Sequence, residues 1–481
     1  MGDRFEAVLA PAMMFGCALL AIYSAIFRPA YLTNSLYLAG LIFLQILAAA
    51  LWDYHQRFLP LLVVAFLWAG TALPWQGVWT TGRWVVLAVG ALTGLALYMR
   101  DPRHSFSAFH LLAFFSVLAA FVSAMVSSYG SIALLKAASL FLLFLYGATG
   151  ARIAALGRQE RFIAGLLLGC EMLIYLSAAS YFVLHRELFD NPNSLGAVMG
   201  VVAVPVMLWG TMVTERVGLR QRRTLALVLA LVLVIASYAR AGIAAAAFSS
   251  IFLCVGLRRY RILARGVVVA LLAASLIITI RPFHMSDADA GTDAHSLADV
   301  FLYKQQRGRG LLWSRKSAWD QTSDVIRDHP WFGSGFGTSV TRIRGAEAEK
   351  GLAFESAGFA TREHGNSYLA IMEWVGLLGV GPFFAIVFLL TAKVYRVGKW
   401  MRSTGNAFST AVPLAAVVAG GLLHALFEDW LFAVGYYLCV FFWTLVFILV
   451  DVVPPEAPAL VRSPVEHNSA PWVPGPALAQ R

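Results

Sequence analysis

Apolar runs of about 14 to 23 residues, separated by short polar breaks, recur along nearly the whole chain. They lie at 8–27, 32–51, 58–73, 84–98, 109–126, 132–150, 162–184, 195–213, 225–238, 242–257, 267–280, 368–390, 408–427 and 431–450. About 20 apolar residues in a helix match the hydrocarbon thickness of a bilayer. Polar and apolar positions do not alternate within the runs, so the period-2 signature of barrel strands is missing. The pattern predicts an all-α, polytopic transmembrane helical bundle of about 12–14 spans. One long polar gap interrupts the rhythm, from 281 to 366. Within it the spacing of Leu312, Trp319 and Ile326 predicts an amphipathic helix over 309–328, stopped by His329-Pro330 and by the turn Gly333-Ser334-Gly335-Phe336-Gly337.

This pattern divides the chain into four parts. Residues 1–280 form the N-terminal part of the bundle, 281–366 the long loop, 367–452 the C-terminal spans, and 453–481 a tail rich in Pro, Ala and Ser that reads as disordered. The first run is long, and Arg28-Pro29 follows it with no small-residue cleavage box, so it reads as a retained anchor.

Composition narrows the class. The chain is 59% hydrophobic and 13% charged, against roughly 45–50% and 25% in soluble domains, which excludes a soluble enzyme. The formal charge of +11 is scattered over short breaks and forms no single stripe, so it reads as topology and not as a nucleic-acid surface. Arg100 and Arg103; Arg152, Arg158 and Arg161; Arg216, Arg220, Arg222 and Arg223; Arg258, Arg259, Arg261 and Arg265; and Lys393, Arg396, Lys399 and Arg402 all fall on one side if every run spans. The positive-inside rule makes that side cytoplasmic, with both termini inside and the long loop outside. Cys17, Cys170, Cys254 and Cys439 lie in apolar runs, where a thiol behaves as a small hydrophobe. Asp287, Asp289 and Asp293 have a faint calcium-loop spacing, but Gly291 stands at a ligand position and no glutamate closes the loop. No metal and no cofactor is expected.

The chemistry-bearing residues gather on the outer side. The stretch Arg362-Glu363-His364-Gly365-Asn366-Ser367-Tyr368 ends the long loop and opens an apolar run. Arg240 is an isolated cation in the turn between two other runs, and Arg307, Arg309 and Arg315 cluster within the loop. Guanidinium groups bind phosphate oxygens through a planar fork and keep their charge at any working pH. The same arginines also suit pairing with lipid headgroups or with the carboxylates of the loop. His364 has the one side chain here whose ordinary pKa suits general-base work near neutrality, with Glu363 a candidate to orient it. Asn366, Asp190, Asn191 and Asn193 offer groups for sugar hydroxyls and are equally ordinary turn and cap residues. Trp75, Trp79 and Trp84 read as an interfacial aromatic belt.

Three motifs in order carry a resemblance. They are Arg309-Gly-Leu-Leu-Trp313; His329-Pro330-Trp331-Phe332-Gly333-Ser334-Gly335-Phe336-Gly337; and His364-Gly-Asn366-Ser-Tyr368-Leu369 with Glu373-Trp-Val-Gly376-Leu-Leu-Gly379. With Ser237-Tyr-Ala-Arg240-Ala-Gly242 and Asn191-Pro192-Asn193 upstream, the chain resembles the O-antigen ligase and polysaccharide polymerase superfamily. The resemblance implies a metal-independent, inverting glycosyltransferase of the bacterial inner membrane, acting at the periplasmic face. The implied donor is a glycan on undecaprenyl diphosphate, and the implied acceptor of a ligase is a sugar hydroxyl of lipid A–core. It also implies catalytic roles for His364, Arg240 and Arg309, with substrate contacts from Arg315, Asn366, Tyr368, Arg362, Asn191 and Asn193. Ligase is the reading taken, with polymerase the alternative within the superfamily. A transporter or flippase of lipid-linked glycan is the rival class, which the low charge of the spans disfavours; Lys136 and Glu171 are the main exceptions.

Overall fold

A computed structural model describes residues 58–100, 105–155, 157–186, 188–189, 191–280, 313–339 and 363–454. The expected runs at 8–27 and 32–51, the acidic stretch of the long loop and most of the tail lie outside the described residues, as do Arg307, Arg309, Arg362 and Asp190.

Among the described residues the regular structure is all helical. In chain order the helices are α1 (Phe58–Ala69), α2 (Gln76–Arg100), α3 (Ala108–Met125), α4 (Gly130–Ala155), α5 (Gln159–Val183), α6 (Pro192–Val213), α7 (Val217–Ala236), α8 (Arg240–Gly256), α9 (Tyr260–Ile280), α10 (Trp313–Asp328), α11 (Ser367–Thr404), α12 (Ala411–His424) and α13 (Tyr437–Val452). Six of them, α2 to α6 and α11, are long and apolar enough to cross a membrane, and α1, α8, α12 and α13 are shorter apolar helices. The chain is an all-α polytopic membrane protein. Each described helix falls on an expected run, and the amphipathic helix of the loop forms as α10.

Hydrogen bonds between connections show how the helix ends are grouped. Ala72 N donates to Leu188 O at 2.9 Å, Ser127 Oγ meets Thr338 Oγ1 at 2.9 Å, and Arg83 Nη1 donates to Gly435 O at 2.8 Å. At the other end Trp209 Nε1 donates to Ala407 O at 2.7 Å, Thr410 Oγ1 to Gln159 Oε1 at 3.2 Å, and Arg152 Nη2 to Ser105 O at 3.2 Å, while Arg152 also pairs with Asp451. The chain therefore reverses at each helix, and the end that holds the 313–339 and 363–366 segments also holds the α7–α8 and α12–α13 connections.

Two close approaches set the geometry of that end. A Cβ on Gly200 of α6 would lie 2.2 Å from Gly242 O of α8, and one on Gly242 would lie 2.4 Å from Gly196 O. Small residues let these backbones touch, as between packed membrane helices. In α6 the π turn Met199–Ala203 precedes Pro205, which has no N–H to continue the ladder.

The second approach breaks α11. Gly376 has φ 64° and ψ −174°, a region essentially reserved for glycine. The turn after α10 supplies partners at the break: Ser334 N donates to Glu373 O at 2.8 Å and Gly335 N to Trp374 O at 3.2 Å. Leu377 N donates to Pro330 O at 2.8 Å and Leu378 N to Trp331 O at 3.1 Å. Lys136 of α4 holds the same turn through Gly337 O, so one of the two in-span charges serves as a tie. The other, Glu171, is buried and pairs with Arg222 at 2.9 Å. At the core, α12 is buried along most of its length and packs against α8, α6, α11 and α13.

Candidate active site

Short local devices place the His364 segment. Gly365 turns the chain with φ +63°, and Asn366 then caps α11, its Oδ1 accepting from Tyr368 N at 2.8 Å and Leu369 N at 3.1 Å. Ser367 lashes this turn to the α12–α13 connection: its N donates to Ala425 O at 2.9 Å, its Oγ donates to Glu428 O at 2.6 Å and accepts from Leu431 N at 3.1 Å. Two consecutive pairs, Glu363-His364 and Glu428-Asp429, consequently face each other.

His364 is 1% exposed. Its backbone N donates to Asp429 Oδ2 at 2.7 Å, and its Nδ1 lies 3.1 Å from the same oxygen. On the other edge Nε2 lies 3.0 Å from Ser339 Oγ and 3.3 Å from Glu373 Oε1, while Ser339 Oγ donates to Glu373 Oε1 at 2.6 Å. An ionised carboxylate only accepts, so Nδ1 must carry a proton toward Asp429. The ring thus lies between two carboxylates, which favour its protonated form. Burial alone favours the neutral ring, but hydrogen bonds and charge from Asp429 and Glu373 outweigh it and hold His364 above the ordinary imidazole range. Burial likewise opposes ionisation of Asp429, and its bonds to His364 hold it below the usual carboxylate range.

Arg315, on the first turn of α10, reaches the other member of each pair. Its Nη1 lies 2.5 Å from Glu363 Oε1, and its Nη2 pairs with Glu428 Oε1. A Cβ on Gly365 would sit 2.8 Å from Arg315 Cδ, so glycine here both makes the turn and leaves room for the arginine. Arg240, the first residue of α8, follows Tyr238 with φ +51°, and its charge is felt directly by that of Arg315. Glu428 is pushed up to about 7, by burial first and then by the charges of Glu363 and Asp429, against the opposing pull of Arg315.

Of the residues singled out in the sequence, the fold brings Arg315 and His364 to one place, and Arg240 opens α8 at the same end, near enough for its charge to act on Arg315. Arg309 and Arg362 lie outside the described residues. Asn191 caps α6 by accepting from Asn193 N at 2.8 Å, and Tyr368 Oη donates to Leu422 O at 2.9 Å, so these two side chains brace helices. Glu363, expected to orient His364, binds Arg315 instead, because neighbouring side chains on the turn point in different directions. That orienting role falls to Asp429, Glu373 and Ser339. The available signal was that Glu428 and Asp429 are the sole carboxylates between Glu373 and Asp451.

Such a site can hold an anion at two guanidiniums and move a proton among carboxylates. Residues 225–384 match the O-antigen ligase family model, a span that runs from α7 into α11 and includes Arg240, Arg315, His364 and Gly376. No curated protein matches the chain.

Proposed function

Taking the chain as a member of the O-antigen ligase and polymerase superfamily, we propose that it is an O-antigen ligase. It transfers a glycan from undecaprenyl diphosphate to a sugar hydroxyl of lipid A–core, at the periplasmic face of the inner membrane. The observation that carries this reading is Arg315, held by Glu363 and Glu428, beside the His364 network, with Arg240 near enough for its charge to act on it.

The diphosphate gains charge as the glycosidic bond breaks, so cations fixed in advance stabilise the transition state more than the ground state. Arg240 and Arg315 do this work, with Arg309 as a third grip. Arg315 already holds two carboxylate oxygens, an arrangement that the oxygens of a phosphate can take over. The acceptor hydroxyl attacks the anomeric carbon from the face opposite the leaving diphosphate, which inverts the configuration. His364, the expected base, binds the α11 turn, the α12–α13 connection and Ser339 into one unit, so its loss disables the site. Arg362, Asn191, Asn193 and Asn366 supply contacts to the sugars.

The test is incubation of the purified protein with polyprenyl-diphosphate-linked glycan, with and without lipid A–core. A capped acceptor supports the ligase, and a ladder of lengthening chains on the carrier alone identifies a polymerase. Absence of any transfer, with the glycan instead crossing the membrane of a proteoliposome, refutes the enzyme reading.

A further inference from the structure

A second buried imidazole, which the reaction proposed above does not use, lies near Arg315. His424 ends α12 and is 2% exposed. Its Nδ1 lies 2.7 Å from the indole Nε1 of Trp430, a side chain that is buried as well. An indole nitrogen only donates, so Nδ1 is the acceptor and carries no proton. The ring is therefore neutral, with its one proton on Nε2, at the edge turned away from Trp430. Trp430 fixes both the tautomer and the direction of that N–H.

No described residue accepts from Nε2 of His424. Buried donors in folded proteins nearly always find an acceptor, so this one needs an explanation. Unlike Nε2 of His110, it is not sealed from the surface. Helix register shows where it lies. The α7–α8 and α12–α13 connections share one end of the bundle, so α8 and α12 run in opposite directions, and a Cβ on Gly420 of α12 would lie 3.2 Å from Ala245 O of α8. One turn outward along each helix brings His424 level with Ala241, the neighbour of Arg240. From another side Ser367 N donates to Ala425 O at 2.9 Å, which ties the end of α12 to the start of α11, and the charge of Arg315 acts on the His424 ring. His424 thus stands between the first turn of α8 and Arg315.

We propose that His424 is a third hydrogen-bond donor of the anion site, its Nε2–H bonding an oxygen of the diphosphate that Arg240 and Arg315 hold. The proposal rests on the reading of the donor as a glycan on polyprenyl diphosphate. Beside guanidinium groups, the acceptor that satisfies a neutral N–H is an oxygen of the anion they bind. A third cation there would repel the other two, whereas a neutral donor adds a directed bond without that repulsion. Because the diphosphate gains charge as it leaves, the bond strengthens along the reaction.

The test is binding by the full-length protein in detergent, with two probes: polyprenyl diphosphate carrying the glycan and polyprenyl diphosphate without it. His424→Leu is expected to weaken both by about 10–100-fold, the loss of one hydrogen bond to a charged group. That variant leaves the Trp430 N–H buried without a partner, so His424→Leu/Trp430→Phe, which removes both members of the bond, is measured beside it. The double variant is expected to melt near wild type and to bind as weakly as the single one. His424→Gln offers an oxygen to Trp430 and an N–H on the other side, and is expected to bind both probes within fivefold of wild type. The proposal is overturned if the double variant folds and binds within threefold of wild type, if affinity falls only for the probe that carries sugar, or if His424→Gln is as weak as the double variant. If wild type binds neither probe, the lipid-linked donor reading fails and this proposal falls with it, a result distinct from a failure of His424 alone.

Discussion

Replacing Gly376 by alanine tests the broken helix that organises the outer end. A non-glycine residue at φ 64° and ψ −174° costs about 1–3 kcal/mol in backbone strain. The new Cβ would also lie 2.4 Å from Trp331 O and 2.5 Å from Gly333 N, both backbone atoms. Those atoms cannot swing aside freely, because Leu377 N and Leu378 N bond to Pro330 O and Trp331 O. Giving up one or two of these bonds adds about 0.5–1.5 kcal/mol each, so with the strain the total destabilisation is about 1.5–6 kcal/mol. Because Glu373 lies on the first half of α11 and Ser339 closes the turn, the same shift loosens both carboxylate-side contacts of His364. The assay is thermal unfolding in detergent by intrinsic fluorescence, with Gly381→Ala as the control in the same helix. A Cβ at Gly381 meets nothing within 4 Å, and alanine there is expected to be neutral or stabilising by up to about 1 kcal/mol. If Gly376→Ala melts with Gly381→Ala, the break in α11 does not carry the strain assigned to it.

Three further outcomes follow from the same contacts. Arg315→Lys keeps a charge but loses the fork, and is expected to lower transfer at least 10-fold, with Arg240→Lys similar; rates equal to wild type exclude bidentate phosphate binding. His364, held above its ordinary range, adds stability that is complete below about pH 6.5 and fades as pH rises through its folded value. Asp429, held low, adds stability present above about pH 3.9 that fades toward acid. Melting temperature is therefore expected to plateau between those limbs in wild type, and Asp429→Asn to lower the plateau and flatten both. Gly242→Val is expected to force α6 and α8 apart, with loss of both folded yield and activity in a detergent size-exclusion assay, since its Cβ has no room beside Gly196 O.

The helices were legible in the sequence because each apolar run repeats one signal over many residues, and every described helix except α10 lies on one. The expected helix of the loop was legible for the same reason, and its stop at His329-Pro330 is where α10 gives way to the glycine turn. The cations and His364 stood out as polar groups in an apolar chain. Their partners did not: Asp429 is 65 residues from His364, and a pairing over that distance leaves no local periodicity. Glu363 misled as an orienting group because sequence adjacency is not spatial adjacency. Gly365, unremarkable in the sequence, makes sense only beside the Arg315 side chain that it leaves room for.

The helices behind the site are short. At 14 and 16 residues, α12 and α13 rise only about 21 and 24 Å, against roughly 30 Å of hydrocarbon. The backbone of the irregular segment between them is satisfied from within the protein, by Ser367 and Trp443. Glu428 and Asp429 therefore sit on irregular backbone that side chains of α11 and α13 hold in place. A site fixed in this way is ordered before any partner arrives, so binding need not first pay to order the α12–α13 connection.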